Sequence, residues 1–401
     1  MTTWRKFFTR TAKLWLIAAA ALVFFILWRQ ANNPLWRGHL EIDTWNYWLK
    51  VEDILKHRTF TTKIGNEILP ATTLFLMLPS WINQGQPLNY SVYLNNFFWL
   101  IFLILLINLY LIVKTGSAKK GIIFLTLTLF FGPIILFRFD ALAALLVVGG
   151  LVAFKKKLSL VSAALLGLAV SCKVYPVIFL PYLGLILWFN QRRIVFKWLA
   201  VFTLALVLPI GLFFYSGGRI IQLTSGLSFH ANKYVSIESI AGSLMTLWSV
   251  ISKHHPPQIL GGWGIWGIPS RLDFFNWFWL IPLSLFYLCL FNRKRFFQNL
   301  NYGVIFCLML LFLVFAKNLH AQYLWWFVPI FTLLEFNLFA TILIIFICIF
   351  SQIVYPLNYT LFIEDFYLHN QAYAVFYGLL VRNLLMALLT VYSLRKTLCG
   401  R

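Results

Sequence analysis

Three ionisable residues lie where the surrounding sequence makes a charge costly. Arg138 and Asp140 open the apolar run RFDALAALL, and Lys173 follows GLAVSC just before the Tyr175-Pro176 pair. At the centre of a membrane helix such groups cost about 2.5–3.5 kcal/mol each on insertion scales, so they usually face a protein interior or a water-filled cavity where something binds. In a cavity of that kind an aspartate is a candidate for proton transfer, and an arginine or lysine is a candidate partner for an anion. The plainer alternative pairs Arg138 with Asp140 and lets Lys173 snorkel to the membrane surface. Two further carboxylates, Asp43 in IDTWNYW and Glu238 in SIES, sit in polar connections outside the long apolar runs.

The elements that must position these residues are membrane helices. Hydrophobic residues make up 61% of the 401-residue chain and charged residues only 11%, and many apolar runs approach the roughly 17–25 residues that cross a bilayer. No polar stretch is long enough to bury a soluble core of its own. Residues 1–401 therefore read as a single transmembrane domain, an all-α polytopic membrane protein. Within residues 137–181, two short apolar helices flank the triplet Lys155, Lys156 and Lys157. Such a hairpin puts the triplet on one membrane face and Arg138, Asp140 and Lys173 on the other.

The formal net charge of +22 is topogenic. Of the 33 Lys and Arg residues, 19 fall near the N-terminus and in alternate short connections, at 114–120, 155–157, 192–197, 293–295 and 395–401. That is the distribution of cytoplasmic loops, with contact to anionic lipid headgroups as a secondary effect; it does not support a nucleic-acid partner. The five cysteines show no metal-ligand spacing and no obvious pairs, so neither disulfides nor cysteine chemistry is expected.

The alternation predicts about 12 spans, at residues 12–29, 94–113, 122–137, 141–154, 158–171, 177–189, 198–215, 274–291, 302–315, 322–334, 338–355 and 373–392, with both termini cytoplasmic. The basic N-terminus and the apolar run behind it resemble a signal peptide, but no small-residue cleavage site follows, so the run is read as a retained first helix. Two long loops, about 30–92 and 216–273, then lie on the outer side and carry short apolar segments at 69–82 and 240–251. Length favours interfacial or re-entrant helices there. Ser236 is the expected N-cap of the second, with Glu238 at its positive end. Several spans hold only about 15 apolar residues, which tilts them against shielded partners or ends them at a wet cavity part-way through the bilayer. Ten of the 11 acidic residues, all but Glu335, fall on the outer side, and acids contribute little to topology, so their segregation is independent of the span assignment.

IDTWNYW (42–48), RFDALAALL (138–146), GLAVSCKVYPVIFLP (167–181), SIES (236–239) and HAQYLWWFVPI (320–330) occur in an order that resembles glycosyltransferase family 87. These are polytopic enzymes of the GT-C fold, related to the mannosyltransferases that use a polyprenyl-phosphate sugar. The resemblance spans about residues 10–395, with two departures. His320-Ala321 stands where Ser-Pro often precedes the Gln-Tyr pair, and Asn66-Glu67-Ile68-Leu69-Pro70 is a poor match to the usual Tyr-Pro-Pro.

The resemblance implies a GT-C-like bundle and an inverting transfer of a mannose-like hexose from a polyprenyl-phosphate sugar to a lipid-linked or glycan acceptor. The reaction would run on the non-cytoplasmic face of a membrane such as the bacterial plasma membrane. An acceptor hydroxyl attacks the anomeric carbon while the phosphate leaves, so the site needs a carboxylate base and cations for the phosphate. On this reading Asp43 is the base, Arg138 and Lys173 bind the donor phosphate, and Asp140 orients Arg138 or binds sugar hydroxyls. Tyr175, Glu238, Gln322 and Tyr323 contact substrate, while Trp325 and Trp326 lie along sugar or isoprenoid. The set calls for no metal or other cofactor, a lone divalent cation aside. Plainer roles exist: Glu238 as a helix-terminal charge, the tryptophans as an interfacial belt, Asp43 as the cap of the next helix. Arg382, midway along the last span, more naturally answers a buried carboxylate or carbonyl than substrate.

The rival class is a transporter or flippase of lipid-linked sugars. Such proteins often show two similar halves with helices broken at matching positions, and no such repeat is visible in this sequence. A structural scaffold would not need charged groups near bilayer depth.

Overall fold

The computed structural model describes residues 2–60, 68–82, 89–262, 265–269, 273–335 and 337–399; Asn66 and Glu67 of the first long loop lie outside them. Two of the long apolar helices start at a capping asparagine. Asn89 opens α4 (Tyr90–Thr115) by accepting the Val92 N–H at 3.0 Å, and Asn337 opens α15 (Leu338–Gln352) by accepting the Ala340 N–H at 2.8 Å, each satisfying a donor that the first turn leaves orphaned. The segments Leu14–Ala31 of α1 (Thr2–Ala31), α4, α9 (Arg192–Tyr215), Leu338–Leu357 and α16 (Tyr373–Cys399) are long and apolar enough to cross a membrane. Their outward faces are apolar as well: Phe196, Leu204 and Leu208 of α9 are exposed, a surface suited to lipid tails. The protein is thus a helical membrane protein with one small sheet among its described residues.

A second set of helices is shorter, and most of it is well buried. It comprises α5 (Ala118–Phe131), α6 (Asp140–Lys155), α7 (Ser159–Cys172), α8 (Leu180–Asn190), α12 (Leu280–Phe291), α13 (Tyr302–Phe315) and α14 (Val328–Leu333). A 14-residue helix such as α7 rises about 21 Å, short of a hydrocarbon core of about 30 Å. Three of the breaks are tight 3-10 turns at Pro133–Phe137, Tyr175–Phe179 and Ala321–Trp326. Irregular backbone at membrane depth is tolerated only inside protein or beside a wet cavity; residues of the second and third breaks, with Arg138 just after the first, line a cavity. Close packing behind them relies on small residues, as membrane helix interfaces do. Gly167 of α7 sits where a side chain would run into the backbone of Phe202 on α9, and Gly150 of α6 lies directly against Leu166 of α7.

At the opposite end of the bundle the basic connections meet. Lys120 donates to the Leu333 carbonyl at 2.8 Å, Lys155 to Leu300 at 3.1 Å, Asn190 to Phe297 at 2.6 Å and Arg295 to Leu398 at 3.0 Å. The polar site and the basic connections therefore occupy opposite ends of the structure.

The two long loops are more ordered than the sequence reading allows. Residues 30–92, expected as a polar loop with one short helix, contain the 24-residue α2 (Pro34–His57). It starts at Asn33, whose side chain accepts the Leu35 N–H at 2.9 Å, and it is laced by Arg37–Glu41 (2.6 Å), Lys56–Glu52 (2.7 Å) and His57–Asp53 (3.4 Å) pairs, all at the i,i+4 spacing that supports an exposed helix. α3 (Pro70–Trp81) is short, as expected, but it buries Phe75, Leu76 and Met77 and packs on α4, α7 and α9. In the second loop α10 (Ile220–Asn232) precedes β1 (Val235–Ser236), and α11 (Ile240–Lys253) precedes β2 (Leu260–Gly262) and β3 (Ile265–Ile268). The sheet is antiparallel in the order β1-β3-β2, with Val235 opposite Ile268 and Gly261 opposite Trp266. Ser236 is part of β1 and does not cap α11. Ser239 does, accepting the Gly242 N–H at 3.0 Å.

Candidate functional site

A cavity of about 700 Å³ opens where the short helices stop. Its wall is assembled from segments far apart in sequence: α2, the junction before α6, the exit of α7, the β1–α11 turn, residues 316–326 and residues 355–364. All eight residues singled out from the sequence, Asp43, Arg138, Asp140, Lys173, Tyr175, Glu238, Gln322 and Tyr323, line it. Trp326 joins them. Trp325 does not: it is fully buried on the other side of its turn, against Phe124 (5.7 Å) and Phe131 (5.1 Å), which removes it from any sugar or isoprenoid contact.

The charges pair differently from what their spacing predicts. Arg138 forms an ion pair with Asp43 of α2 and donates to the Tyr355 hydroxyl at 2.9 Å, and Tyr355 in turn donates to the His39 carbonyl at 3.1 Å. Asp140 instead accepts from Lys173 Nζ at 2.7 Å and from Trp326 Nε1 at 2.6 Å. Asp140 therefore does not orient Arg138, and the plainer Arg138–Asp140 pair is also absent. The backbone explains the split: Arg138 is extended (φ −129°, ψ 134°), whereas Asp140 begins α6. A carboxylate there also meets the positive end of the helix dipole.

Lys173 does not snorkel. Its side chain is only 20% exposed, and its ammonium faces the rings of Phe139 (4.8 Å), Tyr323 (5.0 Å) and Trp326 (5.1 Å), within the range of cation–π attraction. Tyr175 and Tyr323 sandwich Trp326 at centroid distances of 4.2 and 4.3 Å. This end of the cavity is a rigid aromatic stack holding one ammonium against one carboxylate.

Glu238 reaches the cavity through the sheet. β1 pairs with β3, and the Ser236 N–H donates to the Lys317 carbonyl at 2.9 Å, which brings the following turn beside residues 317–320. The Glu238 carboxylate then lies 3.3 Å from His320 Nδ1 and 3.7 Å from Arg382 Nη1. Arg382 also donates to the Glu238 carbonyl, and Asn383 donates to Ser243 Oγ at 2.6 Å. Arg382 thus answers both a buried carboxylate and a carbonyl. Glu238 precedes the capping Ser239 and is engaged by side chains, so it is more than a helix-terminal charge; Asp43, in the middle of α2, is not a cap. Glu238 Oε2, His320 Nε2 and the Tyr175 hydroxyl are buried without a hydrogen-bond partner among the described residues, and all three residues line the cavity.

The sequence reading missed His39, Tyr355, Tyr359, Thr360 and Glu364, which complete the wall. Burial holds the His39 imidazole below the ordinary histidine range, against the pull of the nearby Glu364 carboxylate. Only Glu364 carried a usable signal, as one of the outer-side acids. Among the described residues, no three His, Cys, Asp or Glu side chains gather as ligands for a common ion. Neither the protein-family models nor the curated proteins compared with this chain give a match.

Proposed function

We propose that the protein is an integral-membrane, inverting glycosyltransferase of the GT-C type, resembling glycosyltransferase family 87. It moves a mannose-like hexose from a polyprenyl-phosphate sugar to a lipid-linked or glycan acceptor on the non-cytoplasmic face. The fold has about 12 spans, with the short helices crossing as broken pairs around the cavity and both termini cytoplasmic. The observation that carries this reading is the composition of one cavity: carboxylates beside cations, with an apolar opening next to them. Val174 and Val177 line the cavity beside Lys173, yet are 49% and 40% exposed on the outer surface. A lipid tail leaves along those side chains while its phosphate meets the Lys173 ammonium.

In the transfer, Asp43 takes the proton of the acceptor hydroxyl as that oxygen bonds to the anomeric carbon. The bond from this carbon to the phosphate oxygen breaks, and the electron pair leaves on the polyprenyl phosphate. Lys173 and Arg138 offset the charge that builds on the leaving phosphate. Asp140, Trp326 and Tyr323 hold Lys173 in place for this, and Tyr355 holds Arg138.

Purified protein in detergent should transfer sugar from polyprenyl-phosphate hexose to acceptor with no gradient and no sealed compartment. A requirement for intact vesicles, or movement of substrate without a new glycosidic bond, favours a transporter or flippase instead. The orientation has its own check. Reporters fused after Lys157 or Arg295 are expected to be cytoplasmic and one inserted near Asn232 external; an external reporter at Lys157 overturns the membrane assignment of the site.

A further inference from the structure

Among the described residues four carboxylates line the cavity, and three of them are already engaged with cations: Asp43 with Arg138, Asp140 with Lys173, and Glu238 with Arg382 and His320. Glu364 is the fourth. Among the described residues no lysine or arginine stands within ion-pair distance of it, and it is exposed at the cavity rim. The wall leading to it is aromatic and polar. Tyr359 meets Tyr355 edge-on (4.9 Å, 90°) and His39 edge-on (5.6 Å, 74°), and His39 Nε2 is hydrogen-bonded to Thr360 Oγ1 at 3.0 Å. Because Tyr355 also takes the hydrogen bond from Arg138, a continuous row runs from Asp43 to Glu364. The row reaches Arg138 through Tyr355, whereas the Lys173 stack is built on Asp140 and Trp326.

The two ends therefore differ in chemistry. The Lys173 end carries an ammonium and opens beside exposed valines, which suits an anion on a lipid. The Glu364 end carries an acceptor-only carboxylate, aromatic rings and a hydroxyl, and its negative charge works against a second phosphate. Carboxylates hold neighbouring hydroxyls as paired donors, and aromatic rings cover the apolar C–H faces of a sugar. We propose that the end walled by His39, Tyr359, Thr360 and Glu364 binds an uncharged sugar headgroup, the acceptor of the transfer. The acceptor role rests on the transferase reading; the binding does not.

The test uses the full chain in lipid nanodiscs, with tritiated octyl glucoside and octyl mannoside as sugar probes and octyl phosphate as the anionic probe. Glu364→Gln is expected to weaken octyl glycoside binding by about 10- to 100-fold, the range for losing a hydrogen bond to a charged group, and Tyr359→Leu by about 2- to 10-fold, the range for an aromatic contact; both should leave octyl phosphate binding unchanged. Glu364→Gln keeps the side-chain shape at an exposed position, and an unaltered melting temperature confirms its fold. The proposal is overturned if wild type binds neither glycoside, if both variants bind as wild type does, or if glycoside and phosphate binding weaken together. In the transfer assay the same variants should raise the acceptor KM and spare the donor KM. If wild type transfers no sugar while the binding differences persist, the sugar site stands and the transferase reading falls. If wild type transfers sugar and the acceptor KM does not move, the acceptor assignment falls.

Discussion

Asp43→Asn is expected to cut turnover by about 10²- to 10⁴-fold, the usual contribution of a general base, while donor binding stays nearly intact. An amide has the shape of the carboxylate and still accepts from Arg138, and Tyr355 continues to hold the guanidinium. On the proposed transfer, the cavity then keeps its geometry and loses only its proton acceptor. A loss confined to steps after binding appears in kcat with KM little changed. Lys173→Ala should behave otherwise, raising the donor KM and lowering turnover together, since a phosphate partner acts in both the ground and the transition state. Asp140→Asn is expected to follow Lys173→Ala and not a change at Arg138, because Asp140 is bonded to Lys173 and Trp326. Initial rates with donor and acceptor varied separately distinguish these outcomes. Should Asp43→Asn turn over like wild type, the base is another cavity carboxylate. Glu41 and Asp53 are then poor substitutes, being paired along α2 and absent from the cavity wall, and Glu238 and Glu364 are next to test.

The charged part of the candidate site was legible in sequence because it violates the membrane's rules. A charge within an apolar run needs a reason, and that alone led to Arg138, Asp140 and Lys173, all of which line one cavity. Their partners were not legible. Arg138 and Asp140 are two positions apart, a spacing that favours pairing them, but the chain changes from extended to helical between them and each finds its counter-charge on a distant segment. Hydropathy likewise reported the long spans and passed over α2, whose helix depends on an Asn cap, a proline at its first position and i,i+4 ion pairs. Those signals were present in residues 33–57, but a search for apolar runs does not weigh them. The wall from Tyr355 to Glu364 lies beyond any such reading, because the backbone after α15 kinks to an extended conformation at Tyr355 (φ −133°, ψ 123°), which sets Tyr355 against Arg138 and Tyr359 against His39. Only the packed fold sets those contacts.

Arg382→Leu is expected to destabilise the protein by about 3–5 kcal/mol, the range for removing one partner of a buried ion pair. Arg382 is fully buried midway along α16, and Glu238 is 3% exposed. Without the guanidinium, Glu238 keeps a buried charge with His320 as its remaining charge partner, and its carbonyl loses a donor as well. Unfolding of the detergent-solubilised protein, followed by tryptophan fluorescence, reads the loss directly. The double variant Arg382→Leu with Glu238→Gln should recover much of it, because replacing both charges removes the stranded one. A single variant as stable as wild type would mean that the pair carries no structural weight. The double variant also separates the two roles open to Glu238. If Glu238 only anchors α16, restored stability should bring restored turnover. If its carboxylate works on the substrate through the cavity it lines, stability should return while turnover stays low.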